Sequence, residues 1–235
     1  MDAYTKFYTG SLYPLQDGVL NCINNSGTPF FLTGGTALSR YYLQHRYSDD
    51  LDLFVTTAAA YSDYVEILLK ALIANESINK IIVDRNSVRR GKDYTQFIVT
   101  ASGNVEVALK IDLINDVAAH FGDLEIDSTL GRVDSWQNIL ANKLTALFRS
   151  EPKDVVDIWA IARKFPFDWQ VLMAAAKTKE AGVEPETVYE ILMSFPVKYI
   201  QAIKWINCPA ETSFQKDIHR IAADILYGRK NLFGK

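Results

Sequence analysis

The chain has 235 residues, of which 49% are hydrophobic and 23% charged, with a formal net charge of −3. That balance describes a globular protein with a sizeable core and excludes a protein that coats nucleic acid by charge alone. No run of about eighteen uncharged apolar residues exists, so no membrane span is expected. The first residues lack a basic stretch followed by an apolar one, so no signal peptide is expected and the expected location is cytoplasmic. Cys22 and Cys208 are too few for a disulfide framework and have no metal-ligand spacing.

In chain order, Leu12, Leu15, Val19, Leu20 and Ile23 recur at helical spacing, and Asn24-Asn25-Ser26-Gly27 ends that helix before Pro29. Phe30–Thr33 is a predicted strand that runs into Gly34-Gly35-Thr36, with a helix from Thr36 to Gln44. A second strand, Leu51–Val55, follows Ser48-Asp49-Asp50. Side chains alternate along a strand, so Asp50 and Asp52 share one side and Leu51 and Leu53 the other. Two neighbouring carboxylates repel unless a cation lies between them, and a divalent metal is the usual answer. The two glycines let the backbone turn sharply and approach a ligand closely, and the helix start offers N–H groups to a phosphate. A phosphate cradle beside an acidic pair points to metal-assisted phosphoryl or nucleotidyl transfer. The plainer explanation of each short motif alone is a turn or a solvated strand end.

Tyr61–Ala74 reads as a helix, and Lys80–Asp84 and Tyr94–Thr100 as strands joined by a basic loop of Arg85, Arg89, Arg90 and Lys92. That loop would suit a triphosphate or an RNA backbone, or would simply be a solvated tip. Val105–Leu113 is the most regular strand: Val105, Val107, Leu109, Ile111 and Leu113 form one face, and Glu106, Ala108, Lys110 and Asp112 the other. After Gly131 only helical patterns continue. Asp134-Ser135-Trp136-Gln137 reads as a capping box with Asp134 as N-cap. Lys143 falls within the apolar stripe of the helix that follows, where it needs an anion or a route to solvent.

Two sets of residues carry a family resemblance. Gly34-Gly35-Thr36-Ala37-Leu38 followed by His45-Arg46-Tyr47-Ser48-Asp49-Asp50-Leu51-Asp52-Leu53-Phe54 resembles the signature of the AbiEii/AbiGii toxin family, within the DNA polymerase β-like nucleotidyltransferase superfamily. Asn142-Lys143-Leu144-Thr145-Ala146-Leu147 and Lys153-Asp154-Val155-Val156-Asp157-Ile158 resemble its later Lys-Leu-x-Ala and Arg-Asp-x-x-Asp-Leu segments, with Lys153 where arginine is usual. Lysine keeps the charge there but loses the planar fork.

The resemblance implies an α/β fold: a small mixed sheet with flanking helices over residues 1–132, then a helical bundle over 133–235 that contributes a lysine/aspartate motif to the site. It implies transfer of NMP from an NTP to an acceptor hydroxyl, with one or two Mg²⁺ or Mn²⁺ ions held by Asp50 and Asp52. Asp112 is the expected third carboxylate and metal ligand, which would share the acceptor-side metal and help remove the hydroxyl proton; its plainer role is a salt bridge to a nearby lysine. Gly34, Gly35, Thr36 and Ser48 would bind the nucleotide. Lys143 would neutralise phosphate charge, and Asp154 would orient Lys143 or contact the nucleotide. The implied acceptor is RNA, in particular the tRNA 3′ end, and the implied partner is a cognate antitoxin. An antibiotic-type nucleotidyltransferase with a small-molecule acceptor and a non-catalytic NTP-binding interaction protein are the alternatives.

Overall fold

The computed structural model describes residues 3–76 and 81–233, without the side chains of 104–106. Lys80, and the side chains of Val105 and Glu106 assigned above to opposite strand faces, lie outside that description. Among the described residues no helix is long and apolar enough to cross a membrane. The chain divides into two compact units, one of residues 1–37, 47–117 and 123–134, the other of 38–46, 118–122 and 135–235.

The first unit begins with α1 (Ala3–Phe7) and α2 (Tyr13–Asn25), joined by a π-helical turn, Tyr8–Leu12. Then come β1 (Phe31–Thr33), α3 (Gly34–Ala37), β2 (Leu51–Thr56), α4 (Tyr61–Ala74), β3 (Ile81–Arg90), β4 (Tyr94–Ala101), β5 (Asn104–Asp116), β6 (Glu125–Asp127) and β7 (Gly131–Val133). The seven strands form one mixed sheet in the order β3-β4-β5-β2-β1-β7-β6. β2 pairs antiparallel with β1 and parallel with β5.

Alternation decides the two faces. Leu51, Leu53, Val55, Leu109, Ile111 and Leu113 are all buried, whereas Asp50, Asp52 and Lys110 between them keep part of their surface in water. Burying each of those apolar side chains contributes roughly 1.5–3 kcal/mol, so a one-residue slip of β2 or β5, which would exchange the faces, is strongly opposed.

Two local expectations are corrected here. Residues 85–90 are not loop: β3 continues through them, with an irregularity between Asp84 and Arg89, and the turn is confined to residues 91–93. An exposed hairpin can be charged on both faces, so its strand character leaves no apolar alternation to read. The helix expected over Thr36–Gln44 is instead the short α3 followed by a second π-helical turn, Leu38–Tyr42, closed by Leu43 N–H donating to the Leu38 carbonyl at 2.8 Å.

The second unit holds α5 (Trp136–Ala146), α6 (Pro152–Lys164), β8 (Phe167–Asp168), α7 (Trp169–Lys179), α8 (Pro185–Met193), α9 (Glu211–Leu226) and β9 (Lys230–Asn231). α5 packs on α6 and α7, and α9 packs on α6, α7 and α8. Trp136 stacks on Phe165, with ring centroids 4.5 Å apart and planes 4° from parallel. Trp169 is fully buried in this bundle. The N-cap of α5 is Ser135, not Asp134: Ser135 Oγ accepts from Asn138 N–H at 3.0 Å. Asp134 is turned away because its carboxylate accepts the Thr33 hydroxyl across the β1–β7 junction. Both residue types cap helices well, so a tertiary partner decides between them.

Candidate active site

Strand register assembles the site of the first unit. The β1–β2 pairing sets Thr33 opposite Asp52, which brings the turn at Gly34 against the Asp52 side chain. Gly34 has φ +66°, and a Cβ built there would lie 2.3 Å from Asp52 Oδ2. Glycine is therefore required twice over, for its backbone conformation and for the space the carboxylate occupies. Gly35 and Thr36 are buried in α3, and the Thr36 hydroxyl donates to the Asp50 backbone carbonyl, tying the glycine turn to the start of β2.

The β2–β5 pairing sets Asp52 opposite Asp112, so both carboxylates share a face with Asp50. β4 adds Gln96 opposite Asp112, and β3 adds Arg89 opposite Gln96. Directly opposed residues project to the same side of a sheet. One row therefore runs Thr33, Asp52, Asp112, Gln96, Arg89 across five strands.

Asp112 is nearly buried and fully engaged. Its Oδ1 accepts from the Gln96 amide at 2.8 Å and the Tyr94 hydroxyl at 3.2 Å, and its Oδ2 from Lys110 at 2.9 Å. Lys110 also lies 3.3 Å from Asp50. Burial pulls the Lys110 pKa down, but the hydrogen bond to Asp112 and the charges of Asp50 and Asp112 outweigh it and raise the ammonium above the ordinary lysine value. Lys110 is the residue sequence reasoning left out of the site. The available signal was its place two residues before Asp112 on the same strand face.

Ser48 is buried, with its carbonyl accepting from the Gln16 amide at 3.2 Å. Beside it, Asp49 accepts the Tyr8 hydroxyl from the first π-helical turn. Burial and that hydrogen bond push the Tyr8 phenol far above its ordinary value, so it stays a donor. Tyr8 in turn stacks on Tyr47 at 4.2 Å. The segment 47–49 that leads into the acidic pair is thus held by Tyr8 and Gln16 of the N-terminal helical segment.

Hard oxygen donors on a polar sheet face suit Mg²⁺ or Mn²⁺. Among the described residues, no three acidic, histidine or cysteine side chains are already gathered at metal-binding distance. Asp50 and Asp52, both partly open to solvent, are the carboxylates that could hold an ion, whereas Asp112 is nearly buried among Tyr94, Gln96 and Lys110.

Lys143, Asp154 and Asp157 belong to the second unit. The Lys143 ammonium lies 2.7 Å from both Asp154 and Asp157, and its side chain is only 8% exposed. Arg149 adds two hydrogen bonds to Asp154, at 2.7 and 2.9 Å. Arg46 grips Asp157 with a bidentate pair at 2.7 and 2.8 Å, and His45 Nε2 sits 2.8 Å from the same carboxylate. Burial alone would raise the Asp157 pKa, but Arg46 and Lys143 hold it well below the usual carboxylate range. The structure thus gives the lysine and first aspartate of the later motif each other as partners. It adds Asp157, and His45 and Arg46 from the earlier motif.

The family model "Nucleotidyl transferase AbiEii toxin, Type IV TA system" matches residues 19–231. No curated protein matches the sequence. Among solved structures, JHP933 from Helicobacter pylori is similar at 19% identity, with 90% of each chain covered and a TM-score of 0.59. MenT4, a nucleotidyltransferase toxin from Mycobacterium tuberculosis, is similar at 16% identity, with 89% of this chain and 81% of that chain covered and a TM-score of 0.62. At such identities the structural likenesses establish the shared fold, while the family match spans nearly the whole chain: it belongs to the AbiEii nucleotidyltransferase toxin family and is a nucleotidyltransferase.

Proposed function

We propose that the protein transfers NMP from an NTP to an acceptor hydroxyl on RNA, the tRNA 3′ end, and that a cognate antitoxin restrains it. The observation that carries the reading is the register that sets Gly34 and Asp112 on either side of Asp52, on one face with Asp50. Asp50 and Asp52 would hold the divalent metal, which would supply the charge that polarises phosphate oxygens and neutralises the leaving group. The Gly34-Gly35-Thr36 turn cradles the triphosphate through backbone N–H groups, and Ser48 keeps the adjoining segment in place. Asp112 completes the acceptor side. In the reaction the acceptor oxygen bonds to the α-phosphorus, the α–β phosphoanhydride bond breaks, pyrophosphate leaves and the hydroxyl proton is released.

A polyanionic acceptor is supported by the β3–β4 hairpin, where Arg85, Arg89 and Lys92 are exposed and Arg89 ends the row that contains Asp52 and Asp112. The antitoxin is the partner that the type IV toxin–antitoxin description of the family calls for. Lys143, oriented by Asp154, is the further positive group we assign to the nucleotide phosphates.

The test is label transfer. The protein is incubated with a divalent metal, each α-labelled NTP in turn and total RNA, beside the Asp50→Ala/Asp52→Ala variant. Label is expected on RNA with the unmodified protein and absent with the variant. Equal labelling by both would sink the reading, and label on small molecules alone would move the acceptor to the antibiotic class.

A further inference from the structure

Strand β5 places two charged residues on the face shared with Asp50 and Asp52, and one of them is a cation. Lys110 and Asp112 are two residues apart and so project to the same side. The Lys110 Nζ lies 3.3 Å from Asp50 Oδ2 and 2.9 Å from Asp112 Oδ2. Because β2 and β5 are adjacent, the lysine stem has to cross only one strand spacing, roughly 4.8 Å. Asp112 is already satisfied by Gln96, Tyr94 and Lys110. A carboxylate with three donors on its two oxygens acts as an anchor, and what it anchors is the ammonium beside Asp50.

We propose that Lys110 is the fixed cation on the acceptor side of this site: it stands between Asp50 and Asp112 in place of a second divalent ion, so that the chain holds one divalent ion, through Asp50 and Asp52. The proposal rests on the metal-dependent reading above and narrows it. The charge count agrees. The three carboxylates carry three negative charges, and one divalent ion plus one ammonium supplies three positive ones. A second divalent ion would have to displace the ammonium, breaking two charge-assisted contacts, or bind beside it against like-charge repulsion. Lysine suits the place because its ammonium is a compact point charge on a flexible stem, able to touch carboxylates on two different strands. At 39% side-chain exposure it is also open to an incoming acceptor.

The experiment counts ions. The full chain is titrated with Mn²⁺ alone, and bound ion is measured from the loss of the free Mn²⁺ paramagnetic resonance signal, for the unmodified protein and for Lys110→Met, Lys110→Arg and Asp52→Asn. One ion per chain is expected for the unmodified protein and for Lys110→Arg, two for Lys110→Met, and a loss of affinity of about tenfold or more for Asp52→Asn. Two ions on the unmodified protein, or a Lys110→Met variant that still binds one with unchanged affinity, overturns the role of Lys110 while leaving the metal reading intact. An unmodified protein that binds no ion, or binds it as well after Asp52→Asn, overturns the metal reading and this one with it. Because Lys110→Met takes the charge partner from the nearly buried Asp112, the unfolding midpoint is measured beside each titration, and Lys110→Arg, which keeps the charge, is the control for folding.

Discussion

Among the described residues the same small arrangement occurs twice, a lysine between two aspartates, in two different surroundings. Lys110 bridges Asp50 and Asp112 at 3.3 and 2.9 Å with 39% of its side chain exposed. Lys143 bridges Asp154 and Asp157 at 2.7 Å to each with 8% exposed. Water reaches the first set, so Asp50 stays open to an ion or a substrate beside the ammonium that Asp112 anchors. The second set is sealed in apolar helix packing and reinforced by Arg46, Arg149 and His45, where each charge is stable only while the others are present. One lysine–aspartate cluster is open to solvent and the other is shut away from it, and burial separates them.

The substitutions that probe that contrast are taken in decreasing size of effect. The largest is on catalysis in the exposed cluster. Asp50→Ala with Asp52→Ala removes both carboxylates that fit the ion, and label transfer is expected to fall at least about a thousandfold. The unfolding midpoint should stay near that of the unmodified protein, because these side chains neither fill the core nor cap an element. In the buried cluster stability should fall as well. Lys143→Met leaves two buried carboxylates facing each other and is expected to cost about 3–5 kcal/mol of stability by denaturant unfolding. Pairing it with Asp154→Asn should recover part of that loss. A Lys143→Met protein of full stability with transfer abolished would invert the comparison and place the lysine in the chemistry alone.

Much of the fold and part of this contrast is legible in the chain itself, and the pattern of what is legible has a physical cause. The period-two alternation of Leu51–Phe54 and Val107–Leu113 reports strand faces directly, so the shared face of Asp50 with Asp52, and of Lys110 with Asp112, can be read locally. What joins those faces is register between strands about sixty residues apart, which no local pattern contains. The buried cluster is hidden for the same reason: Arg46 and Asp157 are 111 residues apart, and neither looks unusual on its own. Lys143 alone betrays it, as a charge inside an apolar stripe. The two π-helical turns leave no compositional trace. Residues 85–90 look like a loop because exposed strands and loops are built from the same polar residues.

Gly34→Ala tests how closely the glycine turn and Asp52 are matched. The added methyl meets the Asp52 carboxylate at 2.3 Å, and alanine at φ +66° costs about 1–2 kcal/mol in its own right. The atom met first is the carboxylate end of the Asp52 side chain, so most of the clash should be relieved by moving it. Transfer is therefore expected to drop about tenfold or more, with a stability loss of only about 1–2 kcal/mol. An unchanged rate with lowered stability would mean that the turn is structural and that Asp52 does not need its present position.

The smallest effect expected is the dependence of stability on pH, and it separates the clusters without touching the acidic pair. His45 has Nε2 against Asp157 and Nδ1 buried without a partner. Burial lowers its pKa below the ordinary 6.5, against the pull of Asp157 upward. Below pH 6.5 the unfolded chain therefore takes up a proton that the native imidazole refuses, so stability is lost as pH falls through that window and is fully present above it. The slope can reach about 1.4 kcal/mol per pH unit for one proton. Asp157, held below its ordinary 3.8, adds a second loss that begins only below that pH, when the unfolded carboxylate protonates first. Denaturant unfolding across this range should show two descending segments, and His45→Gln, which retains a donor for Asp157 but cannot titrate, should flatten the upper one alone. If the upper segment survives that substitution, another group carries it, and the buried cluster is less tightly sealed around Asp157 than its 0% exposure implies.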